Sequence, residues 1–268
     1  MVLAEYLDGV RKTNPLIHHL TNYVTVNDCA NVCLAAGASP VMADSIDEAA
    51  DMAAISSALV LNIGTLDVGK VESMIVAGRS ANVRGIPVVF DPVGCGATPF
   101  RNRMAAEIMD QVHMSVIRGN ISEILSLGGE HIHTKGVDAG ELVNSEEARV
   151  LAARLAEKWN AVTVISGAAD IVTDGKRTII VHNGCKEMAL ITGSGCMCSS
   201  LIGAFCGASP EDCFGSAAAA MITMGLAGER AWKKYGQEGL GHFHMGIFDE
   251  IGKMTGGILT EGARYEEY

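Results

Sequence analysis

Residues 87–96 read Pro-Val-Val-Phe-Asp-Pro-Val-Gly-Cys-Gly, an apolar run that ends at Asp91 and is followed by a proline and two glycines. A short run that is apolar throughout and bounded by such residues is typical of a strand buried on both faces. Runs of the same kind occupy residues 60–63, 115–117 and 162–165. Together they predict the central strands of a sheet covered by helices on both sides.

Helical patterns lie between these apolar runs. Asp44-Ser45 precedes one such pattern at 46–52, and Asn144-Ser145 precedes another at 146–159. Asp, Asn and Ser are the residues that most often cap a helix at its first turn. Alternating strands and helices predict right-handed crossovers, a mostly parallel sheet and therefore an α/β fold.

The rest of the chain extends this architecture. Residues 178–182, which follow the turn Asp174-Gly175, are predicted to form a hairpin strand at the edge of the sheet. No low-complexity linker divides the sequence, so we expect residues 1–268 to form a single domain.

Composition excludes several classes of protein. The 268 residues carry a formal charge of −11, which argues against a nucleic-acid partner because phosphate binding needs a basic surface. Hydrophobic residues make up 49% of the chain, too many for a disordered protein. The longest run of small apolar residues, 216–228, is too short to span a bilayer, and the first residues do not resemble a signal peptide. Eight cysteines without an export signal are expected to be reduced thiols of a cytoplasmic protein.

Polar residues follow the predicted strands and predict where a ligand binds. In open α/β sheets, ligands occupy the crevice beyond the carboxyl ends of the strands. The polar residues expected to line that crevice are Asn62, Asp91, Arg118, Asn120, Ser166 and Asp170.

A glycine-rich segment supplies the strongest local signal. Residues 191–198 read Ile-Thr-Gly-Ser-Gly-Cys-Met-Cys, ahead of a small-residue helix predicted at about 196–206. Glycines at the start of a helix let several backbone N–H groups point at one anion, and the helix dipole favours negative charge there. We predict an anion hole formed by Gly193, Ser194, Gly195 and Cys196; a tight turn leading into a buried helix explains the pattern equally well. No lysine follows the glycines, so this is not a Walker A loop.

Two carboxylates are candidates for a magnesium site. Asp91 at a strand end can hold Mg²⁺ or a water on it, although Asp before proline more commonly caps a turn. Asn120 and Glu123 are three residues apart and share a face if a helix begins there. An N-capped helix with Glu at its third position is an equally good interpretation of that pair.

Two other strand ends offer phosphate ligands. Arg118 has the planar guanidinium group that pairs with phosphate oxygens. Ser166 precedes Gly167, which leaves its hydroxyl group free to meet a nucleotide phosphate; a turn capped by Asp170 is the alternative.

Histidine and cysteine pairs are weaker candidates for metal or redox chemistry. Two ligands alone do not make a metal site, so we expect surface or hydrogen-bonded histidines. Cys29 and Cys33 are expected to be a buried core pair, and the side chains of Cys196 and Cys198 to diverge on a helix. The histidine pairs, which could also lie on strands, are His131 with His133 and His242 with His244.

The sequence resembles the hydroxyethylthiazole kinase family of the ribokinase-like superfamily. The matching motifs run in order over nearly the whole chain, which makes the resemblance specific. They lie at 15–31, 37–43, 62–66, 91–94, 118–123 and 192–196.

The resemblance implies a three-layer ribokinase-like fold with a central, mostly parallel sheet flanked by helices. It implies a transferase of thiamine biosynthesis that moves a phosphoryl group from ATP to the primary alcohol of 4-methyl-5-(2-hydroxyethyl)thiazole and needs Mg²⁺. By this resemblance, the thiazole site is formed by Met42, Gly193, Asn22 and Val24. The ATP site includes Arg118 and Ser166. The carboxylates that hold magnesium are those of Asp91 and Glu123.

Relatives in this family are homotrimers whose thiazole pocket lies between subunits. The resemblance therefore implies that the block around Asn22 and Met42 faces the anion hole of a neighbouring subunit.

Cys196 occupies the position where sugar kinases of the superfamily have an aspartate base. A thiol at a helix N-terminus can have a lowered pKa, but it is a poor base compared with a carboxylate. Phosphoryl transfer has a loose transition state and depends mainly on positioning and charge. We therefore predict that Cys196 helps catalysis and is replaceable.

Three alternatives remain at this point. The chain could be another ribokinase-like vitamin kinase, acting on hydroxymethylpyrimidine or pyridoxal. It could bind the thiazole or a nucleotide without catalysis, or be a cysteine hydrolase, which needs a histidine placed to activate Cys196.

Overall fold

The structure, a computed structural model, describes residues 2–130 and 146–268. The strands within these ranges belong to one sheet. They are β1 (Leu16–Leu20), β2 (Ser39–Val41), β3 (Ala58–Asn62), β4 (Val88–Asp91), β5 (Val116–Asn120), β6 (Val162–Ser166), β7 (Asp170–Thr173), β8 (Thr178–Val181) and β9 (Tyr265–Glu267).

The order of the strands confirms the predicted mostly parallel sheet. The strands are arranged β2-β1-β3-β4-β5-β6-β7-β8-β9. Every pair from β2 through β6 is parallel, and β7, β8 and β9 add an antiparallel extension. Parallel strands point their carboxyl ends the same way, so the polar residues that end β3, β4, β5 and β6 reach one edge of the sheet.

Helices connect the strands and cover the sheet. Within the described ranges they are α1 (Leu3–Thr13), α2 (Val26–Ala36), α3 (Ala49–Ile55), α4 (Val68–Arg84), α5 (Pro99–Gln111), α6 (Ile121–Gly128), α7 (Glu146–Trp159), α8 (Ser194–Ala208), α9 (Cys213–Tyr235), α10 (Leu240–Lys253) and α11 (Gly256–Gly262). Short 3₁₀ turns occupy Lys186–Leu190 and Gly236–Glu238.

The core divides into two apolar clusters, one on each face of the sheet. Val60 and Val89 pack with α8 and α9, whereas Leu59 and Phe90 pack with α4 and α5. Successive side chains of a strand point to opposite faces, which explains why neighbours in β3 and β4 enter different clusters. The result is the predicted three-layer architecture, with strands buried on both sides.

Three local predictions need correction or lie outside the described residues. The pattern at 46–52 forms a turn first, and α3 begins only at Ala49, because Ser45 accepts the N–H groups of Glu48 and Ala49 in that turn. The strand predicted at 178–182 forms the hairpin with β7 but is not the edge, because β9 pairs along its outer side. Helix α7 covers the predicted 146–159, while Asn144, Ser145, His131 and His133 lie outside the described residues.

Arg101 of α5 holds together the two loops that carry the site. Its guanidinium group donates hydrogen bonds to the carbonyl groups of Ile63 (2.6 Å), Gly64 (2.8 Å) and Val93 (2.7 Å). Backbone carbonyl groups in irregular loops otherwise lack partners, so this arginine fixes the segments that follow β3 and β4.

Within the described ranges, every helix falls short of the length and apolar character that crossing a bilayer requires.

Candidate active site

Four of the six predicted crevice residues form one hydrogen-bonded and charged group. Asn62 Nδ2 donates to Asp91 Oδ2 (2.9 Å), and Arg118 Nη1 lies 3.9 Å from the same oxygen. Arg118 Nη2 donates to Ser166 Oγ (2.9 Å). The parallel register places Asn62 beside Asp91, so this contact follows directly from the pairing of β3 with β4.

Asp91 is completely buried, and one of its oxygen atoms is free for a ligand. Oδ2 accepts hydrogen bonds from Asn62 Nδ2 and from Ser199 Oγ (2.7 Å) of α8. Oδ1 is buried and has no hydrogen-bond partner among the described residues. Burial raises the pKa of Asp91 to about 6, and the nearby Arg118 guanidinium opposes part of that rise. A buried carboxylate oxygen without a donor is costly unless a cation or a water satisfies it.

Glu123 forms the capping box that the sequence left as an alternative. Asn120 caps α6 through Glu123 N–H (3.0 Å), and Glu123 Oε2 accepts the N–H of Asn120 (2.8 Å). Asn120 is therefore engaged in the cap. Glu123 Oε1 accepts the N–H of Gly94 (2.8 Å), which ties the loop after β4 to the start of α6. Of the two predicted magnesium carboxylates, Asp91 thus ends β4, and Glu123 lies in the first turn of α6, directly after the neighbouring strand β5.

The glycine-rich segment is a helix N-terminus with open N–H groups. Helix α8 begins at Ser194, two residues before the predicted start, and no side chain caps it. The first N–H groups of a helix lack partners within it, so those of Ser194, Gly195 and Cys196 are available to an anion. Gly193 adopts φ of 86°, and a Cβ there would lie 2.7 Å from Thr25 Cγ2, so the position requires glycine.

The open helix end faces the arginine of β5. A Cβ added to Gly195 would lie 2.6 Å from Arg118 Nη1, so the backbone and the guanidinium group are in close contact. Arg118 Nε is buried without a hydrogen-bond partner in the described residues. The N-terminus of α8 and the guanidinium group of Arg118 therefore meet at one point, where an anion would be stabilised.

A cavity of about 610 Å³ opens beside this point. Its volume lies in the range of small-molecule sites. Its lining includes Arg118, Ser166, Asp170, Ser194 and Gly195, together with the apolar residues Met221 and Met224. Burial raises the pKa of Asp170 to about 6, and its Oδ1 accepts the N–H of Gly167 (2.9 Å). Met221 and Met224, which pack in the apolar core, therefore also line this cavity.

Cys196 lies on the other side of the same helix end. Its Sγ accepts hydrogen bonds from Asn22 Nδ2 (3.3 Å) and Asn62 Nδ2 (3.2 Å). Burial raises the pKa of the Cys196 thiol, and the Asp91 carboxylate raises it further. The lowered pKa that a helix N-terminus can give is therefore not what this site produces.

Asn22 follows β1 and contacts Cys196 of its own chain. Because β1 lies next to β3, Asn22 Nδ2 also reaches Asn62 Oδ1 (2.9 Å). That the block around Asn22 and Met42 faces a neighbouring subunit stays a prediction. Val24 is 55% exposed close to this point, and Met42 follows β2 with its side chain half-buried.

The described residues include both cysteine pairs and one of the histidine pairs noted in the sequence. Cys29 and Cys33 are both buried, as predicted, and Cys198 Sγ turns away from Cys196 to meet Met221 Sδ (3.1 Å). His242 and His244 lie on α10, not on a strand. Their Nε2 atoms lie 3.8 Å from Glu238 and 3.3 Å from Asp28, so a carboxylate is near each ring, although His244 Nε2 makes no hydrogen bond within the described residues.

Two contributors to the site escaped sequence reasoning. Ser199 reaches Asp91 because it stands three residues after Cys196 on α8, a spacing that places both on one helix face. The sequence shows this three-residue spacing once the segment is assigned to a helix. Arg101, in contrast, acts on backbone carbonyl groups, for which the sequence carries no signal.

Comparison with known proteins assigns the family. The model of the "Hydroxyethylthiazole kinase family" matches residues 7–256. A hydroxyethylthiazole kinase of Ruminiclostridium cellulolyticum is 49% identical over 266 residues, covering 99% of this chain and 97% of that protein. One of Methanocella arvoryzae is 49% identical over 253 residues, covering 94% and 93%.

Solved structures agree with this assignment. The hydroxyethylthiazole kinase of Pyrococcus horikoshii superposes with a TM-score of 0.90 at 37% identity, covering 99% of this chain and 98% of that one. A pyridoxal kinase of Staphylococcus aureus, at 13% identity and a TM-score of 0.61 over 79% of this chain and 86% of that one, shares the ribokinase-like fold alone. Identity near one half over almost the full length of both chains is decisive. The chain belongs to the hydroxyethylthiazole kinase family.

Proposed function

We propose that the chain transfers the terminal phosphoryl group of ATP to the primary hydroxyl group of 4-methyl-5-(2-hydroxyethyl)thiazole, a step of thiamine salvage. Membership of the hydroxyethylthiazole kinase family supports this activity. One structural observation supports it most directly: the open N-terminus of α8 stands between a nucleotide-sized cavity and the half-buried Cys196 thiol. A phosphoryl group passing between two substrates needs positive charge at that point.

The cavity beside Arg118 is the proposed ATP site. Arg118 and Ser166 line it and are already joined by a hydrogen bond, so the arginine is held in place before the nucleotide arrives. The triphosphate would extend towards Gly193, Ser194, Gly195 and Cys196. Their backbone N–H groups and the guanidinium group would stabilise the charge on the transferring phosphoryl oxygens.

Asp91 and Glu123 fit a magnesium ion. The unpartnered Oδ1 of Asp91 is a buried hard oxygen ligand, and Mg²⁺ prefers carboxylate oxygens and water. Both oxygens of Glu123 accept backbone N–H groups and retain lone pairs for a water on the metal. When bound, Mg²⁺ would neutralise charge on the phosphate oxygens of ATP.

The thiazole alcohol would bind on the Cys196 side of the helix end. We assign Asn22, Val24, Met42 and Gly193 to this pocket. Two of them are tied to the thiol or its helix: Asn22 donates a hydrogen bond to Cys196 Sγ, and Gly193 is the N-cap residue of the same helix. This arrangement directs the hydroxyl group of the substrate to Cys196 and its ring away from the nucleotide cavity.

Cys196 assists the alcohol without acting as a strong base. Two amide donors already occupy lone pairs of its Sγ, and burial raises the pKa of the thiol. With these two donors in place, the S–H group of Cys196 remains available to donate a hydrogen bond to the alcohol oxygen. Charge stabilisation at the phosphoryl group therefore does most of the catalysis.

Replacing the thiol tests this role. We expect Cys196→Asp to have a kcat equal to or above that of the wild type, because a carboxylate accepts the same two amide donors and is a better base. Cys196→Ala should lose no more than about tenfold, since a base contributes little to a loose transition state. The measurement is steady-state ADP release by both variants. A collapse of kcat in Cys196→Asp would contradict the proposed role.

The pH dependence of the metal requirement tests the Asp91 site. Burial raises the pKa of Asp91 to about 6, so below that pH the carboxyl group is protonated and Mg²⁺ must displace the proton. We expect the Mg²⁺ concentration that gives half the maximal rate to rise by about tenfold per pH unit below pH 6 and to level off above it. Magnesium titrations between about pH 5 and pH 8 measure this. A requirement that stays constant over this range would rule out Asp91 as a ligand.

Assembly, domain organisation and location complete the proposal. A homotrimer with thiazole pockets at its subunit interfaces is supported by the exposure of Tyr23 (77%) and Val24 (55%) beside Asn22. Sedimentation equilibrium measures the assembly. A single domain over residues 1–268 is supported by the one sheet of the described residues. Eight free thiols support a cytoplasmic location.

A coupled ADP-release assay tests the function. The acceptors are the hydroxyethylthiazole, hydroxymethylpyrimidine and pyridoxal, each with and without Mg²⁺. We expect turnover with the thiazole and Mg²⁺ only. Turnover confined to another alcohol would replace the proposed substrate, and tight thiazole binding without ADP release would indicate a binding protein.

A further inference from the structure

The buried carboxamide of Asn62 touches both halves of the site. Its Nδ2 donates one hydrogen bond to Asp91 Oδ2 (2.9 Å) and one to Cys196 Sγ (3.2 Å). Its Oδ1 accepts the Nδ2 of Asn22 (2.9 Å) and the N–H of Gly64 (2.9 Å). Both hydrogens and both lone pairs of the group are therefore used, and the side chain is 1% exposed.

Only one orientation of this amide is possible. Exchanging its oxygen and nitrogen would place Oδ1 against the Asp91 carboxylate and the NH₂ group against the N–H of Gly64. Both new contacts would be repulsive, in a buried site where an unmade hydrogen bond is expensive. The two donors of Asn62 are therefore fixed on Asp91 and Cys196.

We propose that Asn62 is a positioning residue. It holds the Asp91 carboxylate, the proposed metal ligand, and the Cys196 thiol, proposed to meet the alcohol, in fixed positions relative to each other. It saturates Asp91 Oδ2 together with Ser199, so that Oδ1 is the oxygen left to a cation. The same nitrogen holds Cys196 Sγ on the far side of the helix end. This inference rests on the proposed function for the alcohol, but its effect on metal binding does not depend on the identity of the alcohol.

Loss of the Asn62 amide would release Asp91 in a specific way. With one donor gone, Oδ2 is free to rotate towards Arg118, whose Nη1 already lies 3.9 Å away. Oδ1 would then leave the position in which it faces a metal. Residues that orient a metal ligand typically contribute about 10–100-fold to metal affinity or activity, and we expect an effect of that size.

The test compares Asn62→Ala with a matched control, Asn82→Ala. Asn82 makes two hydrogen bonds to the backbone of His113 on the far side of α4, away from the site. Mn²⁺ serves as the probe: its affinity is measured by electron paramagnetic resonance in the presence of ADP, without any acceptor alcohol. We expect Asn62→Ala to weaken Mn²⁺ binding about 10–100-fold and to lower kcat similarly, with KM for ATP within about threefold of wild type. The control should change none of these values.

A second variant keeps the test valid if Asn62→Ala does not fold. Asn62→Thr suits a strand and has one hydroxyl hydrogen, so it cannot serve both Asp91 and Cys196. A folded variant that retains Mn²⁺ affinity within about twofold and kcat within about threefold of wild type would overturn the proposal, as would a wild-type protein that binds no Mn²⁺. If the wild type does not phosphorylate the thiazole while Asn62 variants still lose Mn²⁺ affinity, the proposed substrate fails and the positioning role stands.

Discussion

Asp91→Ala is expected to lower kcat by about 10³-fold or more. The substitution removes the carboxylate that accepts hydrogen bonds from Asn62 and Ser199. With it goes the unpartnered Oδ1, which is proposed to bind Mg²⁺. A bound metal contributes several kcal/mol to a phosphoryl transfer, and about 1.4 kcal/mol corresponds to each tenfold in rate. Glu123→Ala should also lower kcat. It removes the second proposed magnesium carboxylate and the hydrogen bond from the N–H of Gly94 that holds the loop after β4.

The loss of rate in Asp91→Ala has to be separated from a loss of stability. Burial raises the pKa of Asp91 to about 6, above its unfolded value, so at neutral pH its charge opposes folding. Its removal, however, leaves the donors of Asn62 and Ser199 and the charge of Arg118 without this partner, so the unfolding temperature is expected to fall as well. Rates are measured by ADP release and folding by thermal unfolding. Asp51→Asn, an exposed acid of α3, is the control for loss of one negative charge. If Asp91→Ala and Glu123→Ala both retain near-normal rates, the assignment of the two carboxylates is wrong.

Arg118→Met is expected to raise KM for ATP about 100-fold and to lower kcat by a similar factor. The guanidinium group lines the cavity, contacts the backbone at Gly195 and bonds to Ser166, so it serves both nucleotide binding and the transferring phosphate. Removing one preorganised donor to developing charge costs about 10²–10³-fold.

A lysine should not replace Arg118. Lysine carries a point charge and lacks the planar fork that reaches two partners at once, so Arg118→Lys should recover little of the loss. Arg84→Met, at the exposed end of α4, is the control for loss of a positive charge. An Arg118→Met enzyme with an unchanged KM for ATP would place the nucleotide elsewhere.

Much of the site was predictable because its residues stand where buried strands end. The apolar runs before Asn62 and Asp91 identify β3 and β4, and the geometry of a parallel sheet then brings the two side chains together. Gly193 was predictable for a different reason: a glycine-rich run ahead of a helix marks a backbone position with positive φ, and Gly193 adopts φ of 86°. Local rules of this kind act within a few residues and can be read from sequence.

Strand order and burial were not predictable in the same way. β1 reads Leu-Ile-His-His-Leu, and both histidines are buried. Because two adjacent histidines are not typical of a buried strand, the sequence did not predict that β1 lies beside β3. That neighbour relation is what turns Asn22 towards Cys196 of its own chain. The pKa of Cys196 depends on a balance between a helix end, which lowers it, and burial, which raises it. Sequence shows the helix and does not show the burial.

A crystal structure with ADP, aluminium fluoride, Mg²⁺ and the hydroxyethylthiazole tests the anion hole most directly. In our proposal, the backbone N–H groups where α8 begins, together with Arg118, neutralise the charge of the transferring phosphoryl group. We predict that the fluoroaluminate group accepts hydrogen bonds from the N–H groups of Gly195 and Cys196 and from Arg118, between ADP and the thiazole hydroxyl group. A fluoroaluminate group bound away from this helix end, with ADP outside the cavity beside Arg118, would contradict the account.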